Sequence, residues 1–433
     1  GSGSDGVGYG DIALDGSNVV HFSGQTASDD LPLVNAFDDS LTGARDAYVV
    51  KIDTTVAGAG GLLYGSYVGG TDGDGYDNNG GLAVDGSGNI YVTGSTCASD
   101  SPTTAGAFQT TWGGQSNRSD GFLVKLDPTV AGSGGLLYGT YLRGSTSSDW
   151  VGAMAVDASG VVFVTGYTAS TDFPTTAGAY ATSLSGTAWD AFFLKLDPAG
   201  GGASDLLYGT YVGGTGQESV NGLAVDSDGK AYVSGKTYST TDFPLVEPTQ
   251  ASFGGGSCDV FIFTLNPAGA GSEDLEFSTY LGGDGVDIGF GIAVDTEGYV
   301  YATGYTLAAD FPTTAGAYDE SYNAGSDAFV VKYDVSSNTA PVIDARETVD
   351  SDANGQIDAI KVTTDQNLDD DFTGLTITVT GYTVTGYSSD IANDAIFYVN
   401  LTEGGSPDTE ATPDVAVTAN TTLSEDGGSN NIA

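Results

Sequence analysis

The sequence contains a segment that returns about every 70 residues. The acidic residue that ends its first element falls at Asp15, Asp85, Asp157, Asp226 and Asp295. Each copy continues with a tight turn, a second apolar element, a loop of about twenty residues and a third apolar element. Because one such unit must stack on its neighbours to bury its apolar surface, this repeat constrains the fold more than any other feature.

The pattern within each unit predicts four short strands joined as a meander. The strand segments are rich in Val, Ile, Tyr, Phe and Thr, and no long segment has the apolar period of an amphipathic helix. Four antiparallel strands per unit are typical of a β-propeller blade, and the sequence holds five units. We therefore predict an all-β fold with a five-bladed propeller over residues 1–337, the last blade lacking its outer strand. A solenoid of β-hairpins is the alternative.

The repeated motifs also resemble a known family. The core IAVD, the loop DFPTTAGAY, the strand DAFVVK and the strand LLYGTY are similar to those of the SBBP β-propeller repeats of prokaryotic secreted and surface proteins. The resemblance covers roughly residues 1–335. The family name implies seven blades, whereas this sequence contains five units.

The repeat stops near residue 338, and the segment 338–433 has a different pattern. Four alternating strand segments begin near residues 358, 375, 395 and 413. Their number and spacing predict a β-sandwich. The segment also resembles bacterial immunoglobulin-like modules, although it has no cysteines.

An acidic loop at the start of this second segment predicts a structural Ca²⁺ site. Oxygen ligands at alternate positions, with Gly355 at the turn, match the first part of a calcium-binding loop. The ligand candidates are Asp350, Asp352, Asn354, Gln356 through its carbonyl, and Asp358. Lys361 stands where a full loop has its bidentate glutamate, so the alternative is a turn without metal.

The charge of the chain limits its partners. There are 57 acidic residues and 11 basic ones, for a formal charge of −46. Nucleic acids and anionic membranes would be repelled, and no apolar run is long enough for membrane insertion. An extracellular or cell-surface location is expected, and the glycosylation candidates are Asn117, Asn400 and Asn420.

Nothing in the sequence indicates a catalytic constellation. The single histidine, His21, aligns with Tyr91, Phe163, Tyr232 and Tyr301 and so is expected to pack as an aromatic residue. Without another histidine, a Ser-His-Asp triad and a His/Cys metal site are excluded. Cys97 and Cys258 are expected to stay unbridged. We predict that the protein is not an enzyme, with a carboxylate pair acting on polysaccharides as a less favoured alternative.

The long loops between the second and third strands carry aromatic side chains. A carbohydrate-binding face is one interpretation, and packing of these side chains on their own blade is the other. The possible ligand face comprises Trp112, Phe173, Tyr180, Trp189, Phe243, Phe311 and Tyr318.

The favoured function is a non-enzymatic structural or adhesive protein of a prokaryotic cell surface, assembled by strand pairing with its own copies or another surface protein. Its alternative is a carbohydrate-binding propeller.

The last blade would have an open edge, because its outer strand is missing. This edge would be Phe329, Val330, Val331, Lys332 and Tyr333. Three donors for the missing strand are considered: Thr339–Arg346, a second chain through its tail Thr421–Ala433 or an unidentified partner, or an upstream segment.

Overall fold

The computed structural model divides the chain after Val335 into two compact units. The structure describes residues 1–6, 11–17, 19–71, 78–113 and 118–335 of the first unit. In the second unit it describes 343–349, 359–364, 368–369, 377–379, 383–388, 396–401, 415–417 and 424–425. The predicted boundary after residue 337 lies outside the described residues.

The first unit consists of five consecutive antiparallel sheets, one for each sequence repeat. Blade 1 comprises β1 (Asp5–Gly6), β2 (Ile12–Leu14), β3 (Val20–Thr26), β4 (Asp46–Ile52) and β5 (Leu62–Val68). Blade 2 comprises β6 (Asn78–Val84), β7 (Ile90–Thr96), β8 (Asp120–Leu126) and β9 (Leu136–Leu142). In blade 1, both β1 and β2 pair with β3 and together hold the place of one innermost strand.

The remaining blades repeat this order. Blade 3 comprises β10 (Asp149–Val156), β11 (Val162–Thr168), β12 (Asp190–Leu196) and β13 (Leu206–Val212). Blade 4 comprises β14 (Glu218–Val225), β15 (Ala231–Thr237), β16 (Asp259–Leu265) and β17 (Leu275–Leu281). Blade 5 comprises β18 (Asp287–Val294), β19 (Tyr299–Thr306) and β20 (Asp327–Asp334). Short 3₁₀ turns precede the outer strands at Gly58–Gly61, Gly132–Gly135, Gly202–Asp205 and Gly271–Asp274.

These sheets confirm the predicted all-β propeller with an incomplete last blade. Each strand of a blade pairs with the next strand in the sequence, as in a meander, except that β1 and β2 of blade 1 both pair with β3. In the described residues β20 pairs only with β19, whereas the third strand of every other blade has a fourth strand beside it. No α-helix occurs in the part of the chain that the structure describes, and no helix there could span a membrane.

The repeated aspartate at the end of the first strand builds the hairpin that follows it. Asp85 Oδ1 accepts hydrogen bonds from the backbone N–H groups of Ser87 and Asn89, each at 2.9 Å. Asp226 and Asp295 make the same two contacts in their own turns. These aspartates are therefore architectural, as a turn residue of this type is expected to be.

Apolar side chains on both surfaces of each sheet hold the blades together. We call the surface toward the preceding blade the leading face, and the surface toward the following blade the trailing face. Phe163 and Phe193 on the trailing face of blade 3 share one buried cluster with Phe261 and Phe263 on the leading face of blade 4. Similar clusters join blades 1 and 2, blades 2 and 3, and blades 4 and 5.

The second unit has one larger sheet and two small ones. Its strands are β21 (Ile343–Val349), β22 (Ala359–Thr364), β23 (Leu368–Asp369), β24 (Ile377–Val379), β25 (Val384–Ser388), β26 (Ile396–Leu401), β27 (Val415–Val417) and β28 (Ser424–Glu425). The larger sheet has the order β21-β22-β26-β25, and β23 pairs with β28 as β24 does with β27. Ile360 and Val399, which face each other in the register of β22 and β26, are buried.

Candidate functional site

The leading face of blade 1 carries an open apolar cleft. Tyr48, Val50 and Tyr67 form a cluster with Phe22 and Ile52 that contains residues of blade 1 only, whereas the other propeller clusters described join two blades. The cleft has a volume of about 600 Å³, and Asp5, Gln25 and Asp53 add polar groups to its apolar lining. A concave apolar surface with a few polar groups is the usual form of a binding site.

The trailing face of blade 5 is the second open apolar surface. Tyr301 is 36% exposed and Val330 is 79% exposed, whereas Phe163 and Phe193, at the same positions in blade 3, are fully buried. The difference has one cause, because blade 4 covers blade 3 and no described blade covers blade 5. The strands of blade 5 do not pack extensively on those of blade 1 in the described part of the chain.

Neighbouring blades are also joined by a repeated backbone hydrogen bond between the long loop of one blade and the 3₁₀ turn of the next. The carbonyl of Ala36 accepts from the N–H of Gly132 at 2.8 Å. The carbonyl of Gly106 accepts from Gly202 at 2.6 Å, and that of Gly178 accepts from Gly271 at 2.7 Å. We call this the loop–turn hydrogen bond.

The two terminal blades each hold an unused half of this bond, and a third unused half is Pro248 of blade 4, because blade 5 has no described turn to donate to its carbonyl. Gly316 of blade 5 occupies the loop position of Gly178, and its φ of 84° matches the 82° of Gly178. Gly58 of blade 1 occupies the turn position of Gly271, with φ of 73° against 74°. Both conformations lie in the left-handed region that glycine tolerates best. Neither glycine makes the loop–turn hydrogen bond in the described structure.

Acidic side chains meet at the junctions between blades. The third strand of each blade starts with an aspartate, and the first strand of blades 3, 4 and 5 starts with another acid. Asp190 and Glu218 meet at the junction of blades 3 and 4, and Asp259 and Asp287 meet at that of blades 4 and 5; all four are buried. The pattern of aspartates before the third strand is visible in the sequence, but its spatial pairing is not.

Burial controls the protonation of these acids. It raises the pKa of Asp190 to about 6 and that of Asp259 to about 7, because a charged carboxylate loses its hydration there. Burial likewise raises the pKa of Glu218 to about 8, and the hydroxyls of Thr237 and Ser239 oppose this by donating to its Oε1. No described group of three or more His, Cys, Asp or Glu side chains is arranged to hold a metal ion.

At the junction of blades 2 and 3, an arginine stands where the junctions of blades 3 and 4 and of blades 4 and 5 have a glycine. Arg143 stands there at the position of Gly213 and Gly282, and its Nε lies 3.7 Å from Asp120 Oδ2. The guanidinium also donates to the carbonyls of Thr111 and Gly144. A fixed cation thus accompanies Asp120 and its neighbour Asp149.

The structure places the seven aromatic residues of the predicted ligand face in different surroundings. Phe173 and Phe243 are buried and pack on Phe192 and Phe261, with ring centroids 4.4 and 5.2 Å apart. Phe311 stacks on Phe329 at 4.9 Å. Trp112, Tyr180 and Trp189 are partly buried, and Tyr318 is fully exposed. Packing of the Asp-Phe-Pro segment on its own blade accounts for the buried members, which are not accessible to a ligand.

The predicted calcium ligands and two of the three sequons lie outside the described residues. This applies to Asp350, Asp352, Asn354, Gln356 and Asp358 as well as to Asn117 and Asn420. Asn400 lies in β26, half buried, and its Nδ2 donates to Ser388 Oγ at 3.3 Å.

His21 is fully buried, and its Nε2 lies 3.2 Å from Asp15 Oδ2. Tyr91, Tyr232 and Tyr301 place a hydroxyl on the equivalent aspartate, so His21 replaces a tyrosine. Burial lowers the pKa of His21. No disulfide joins Cys97 and Cys258.

The open edge Phe329, Val330, Val331, Lys332 and Tyr333 belongs to β20, whose only described partner is β19. Of the segment Thr339–Arg346, the described residues 343–346 pair with β22 instead. This part of the segment therefore does not supply the missing strand.

Two segments of the chain, 207–244 and 276–312, match the SBBP family, described as a beta-propeller repeat. No curated protein matches the sequence significantly. Among similar solved structures is a gluconolactonase from Xanthomonas campestris, at 10% identity and a TM-score of 0.32, with 91% of this chain and 86% of that chain covered. Another is an aldose sugar dehydrogenase from Streptomyces coelicolor, at 12% identity and a TM-score of 0.33, with 92% of this chain and 96% of that chain covered. A third is an acylaminoacyl peptidase from Pyrococcus horikoshii, at 8% identity and a TM-score of 0.31, with 94% of this chain and 51% of that chain covered.

These matches correct the functional prediction made from the sequence. Several similar structures are named as enzymes, which contradicts the expectation of a non-enzymatic structural or adhesive protein. That expectation rested on the repeat architecture, and propellers also carry active sites. At such low identities the matches assign no activity to this chain.

Proposed function

We propose that the propeller recognises a second copy of this chain, whose blade 5 packs with its trailing face on the leading face of blade 1. The main support for this proposal is that the terminal blades have unused halves of the loop–turn hydrogen bond, Gly316 in blade 5 and Gly58 in blade 1. Each half has the left-handed backbone conformation of its glycine counterparts inside the propeller. An interface of this kind is already made at each junction between consecutive blades.

The side chains at the two ends support the same pairing. Within the propeller, a trailing face offers an aromatic residue on the second strand and an apolar residue on the third, such as Phe163 and Phe193. Blade 5 offers Tyr301 and Val330 at these positions, both accessible to solvent. The cleft of blade 1 presents the apolar surface that would receive them. Exposed apolar surfaces of this kind are typical of interaction sites.

Such a contact is heterologous, since two different surfaces of the same chain meet. This makes a sharp test possible. Val330→Asp should disable the trailing face, and Ile52→Asp should disable the leading face. Each variant alone should sediment as a monomer, while an equal mixture should form a dimer, because each variant contributes one intact face. About 0.5 M NaCl would screen the repulsion between these acidic chains.

Leu207→Asp is the matched control. Leu207 is 47% exposed on the outer strand β13, away from both terminal faces. This variant should associate with increasing concentration as the parent protein does. Monomeric parent protein at all concentrations, or a mixture of the two face variants that stays monomeric, would contradict the proposal. Equal loss of association in all three variants would also contradict it.

We further infer an extracellular location and an immunoglobulin-like sandwich for residues 338–433. The acidic composition supports the extracellular location. The pairing of β22 with β26, with Ile360 and Val399 buried, supports the sandwich. Protease treatment of intact cells that degrades the protein would support surface exposure, and full protection would contradict it. The calcium site at Asp350–Asp358 stays a prediction.

A further inference from the structure

The paired acids at the junctions of blades 3 and 4 and of blades 4 and 5 lack a counter-charge. No described Lys or Arg forms an ion pair with Asp190, Glu218, Asp259 or Asp287. Buried carboxylates without a counter-charge are costly, so a site of this type is stable only if a proton or a cation is bound.

The two carboxyl groups of each pair border the space beside one glycine. A Cβ atom on Gly282 would lie 2.7 Å from Asp259 Oδ1 and 2.7 Å from Asp287 Oδ2. At the preceding junction, a Cβ atom on Gly213 would lie against Glu218 Oε2 and 2.8 Å from Asp190 Cγ. The absence of a side chain at these two glycines leaves the space between the carboxylates open.

One oxygen of each aspartate that starts a third strand has no partner there. Asp259 Oδ2 accepts from the N–H of Gly254 at 2.6 Å, and Asp190 Oδ2 accepts from that of Ser185 at 2.7 Å. Their Oδ1 atoms are buried and have no hydrogen-bond partner in the described structure. Asp259 Oδ1 is the atom that faces Asp287, so the unpartnered oxygen points into the shared space.

The junction of blades 2 and 3 shows how the chain meets the same requirement elsewhere. Arg143 replaces the glycine, and its guanidinium lies beside Asp120. At that junction Asp149 has hydroxyl partners, Thr168 and Ser170, and no oxygen of Asp120 or Asp149 is both buried and unpartnered. At this junction the guanidinium of Arg143 therefore supplies the positive charge that the other two pairs of acids lack.

We propose that the Asp190–Glu218 and Asp259–Asp287 junctions each bind one divalent cation of the calcium class between adjacent blades. Carboxylate and main-chain oxygens are hard ligands, which Ca²⁺ accepts in flexible numbers, with water completing its shell. Two carboxylates per ion place the affinity at the weak end of protein sites, with a Kd of about 0.1–1 mM. The cation stabilises the contact of blade 3 with blade 4 and of blade 4 with blade 5.

The experiment counts calcium bound to the full chain. Equilibrium dialysis of chelator-treated protein against millimolar CaCl₂ at neutral pH gives the stoichiometry. All variants are made with Asp352→Ala, which removes the separate candidate loop at Asp350–Asp358. Asp190→Asn and Asp259→Asn should each bind one ion fewer than this parent. Asp120→Asn, at the junction that holds Arg143, should bind the same number as the parent.

A second variant tests the role of the glycine. Gly282→Arg places a guanidinium where blade 2 has Arg143, and it should bind one ion fewer while melting at a higher temperature than the parent in chelator. If a variant fails to fold, the parent itself decides through its melting temperature with calcium and with chelator. Calcium should raise that temperature, and less at pH 5 than at pH 7.5, because protons compete for the carboxylates.

Two results would overturn the proposal. One is equal calcium stoichiometry in Asp190→Asn, Asp259→Asn and Asp120→Asn. The other is a parent that binds no calcium and melts at the same temperature with and without it, which would mean that each pair holds a proton instead.

Discussion

The hydroxyl of Tyr208 in blade 3 donates a hydrogen bond of 2.8 Å to Asp274 Oδ2 in blade 4, across the boundary between the two blades. Tyr138 makes the same contact with Asp205 one blade earlier, at 2.9 Å. Both aspartates are buried. At the boundary of blades 1 and 2, Tyr64 has no such acid, because Gly135 occupies the position of Asp205 and Asp274.

This difference predicts unequal effects of removing the hydroxyl. Tyr208→Phe leaves a buried carboxylate oxygen without its donor and should lower the free energy of unfolding by about 1–3 kcal/mol. Tyr64→Phe leaves no acid unpaired and should cost less than about 1 kcal/mol. Urea denaturation of both variants checks this, and equal losses would show that the aspartate does not matter.

The same position in two blades should respond differently to truncation. Phe193 is fully buried between blades 3 and 4, near the rings of Phe163 and Tyr208, so Phe193→Ala should cost about 3–5 kcal/mol. Val330 occupies this position in blade 5 but is 79% exposed, so Val330→Ala should change the stability of the monomer by no more than about 0.5 kcal/mol. Denaturation below the concentration of self-association measures both, and a large loss for Val330→Ala would place it in a buried core.

These two residues also show what the sequence could and could not predict. The repeat predicted the blades, their strand order and the hairpins of Asp85, Asp226 and Asp295, because each follows from local patterns. The alternation of apolar residues is the same at Phe193 and Val330, so it does not reveal that one is covered and the other is open. That distinction depends on whether another blade is present, which no local pattern records.

The candidate sites were missed for a related reason. An aspartate before a strand, such as Asp259, is most simply interpreted as a turn residue. Its partner Asp287 belongs to the next blade, and only the packing of the two blades brings their oxygens together. Phe173 and Phe243 illustrate the opposite error, since aromatic residues on predicted loops were considered for a ligand face although both are buried.

Cys258 provides a reporter for the junction of blades 4 and 5. It is fully buried, its carbonyl accepts from the N–H of Asp287 at 3.0 Å, and burial raises the pKa of its thiol. A thiol reagent should therefore modify Cys258 far more slowly than the partly exposed Cys97 in the native protein. Mass spectrometry of modified peptides over time measures both rates, and similar rates would indicate that blade 5 separates readily from blade 4.

Asp149 predicts how stability depends on pH. Its pKa is raised to about 7, mainly by burial and to a smaller extent by the nearby charge of Asp120, although the hydroxyl of Thr168 and the N–H of Gly144 act in the opposite direction. Because the folded pKa lies above the unfolded value, the folded protein holds more protons than the unfolded chain between about pH 4 and pH 7. The stabilising contribution of Asp149 to the free energy of unfolding is therefore fully present below about pH 4, and it is lost as the pH rises to about 7.

Asp149→Asn should make the stability less dependent on pH. The amide oxygen can still accept from the N–H of Gly144, which donates to Asp149 at 2.8 Å, but the side chain no longer ionises. Between pH 5 and pH 8, the free energy of unfolding should fall less steeply in this variant, by at most about 1.4 kcal/mol per pH unit. Urea denaturation at both pH values, with chelator present throughout, gives the slopes. Asp157→Asn is the matched control, because hydrogen bonds in its hairpin lower the pKa of Asp157 and place its titration below this range. A slope that stays at the wild-type value in Asp149→Asn would mean that Asp149 is ionised in the folded protein throughout, with Arg143 at the same junction providing enough positive charge.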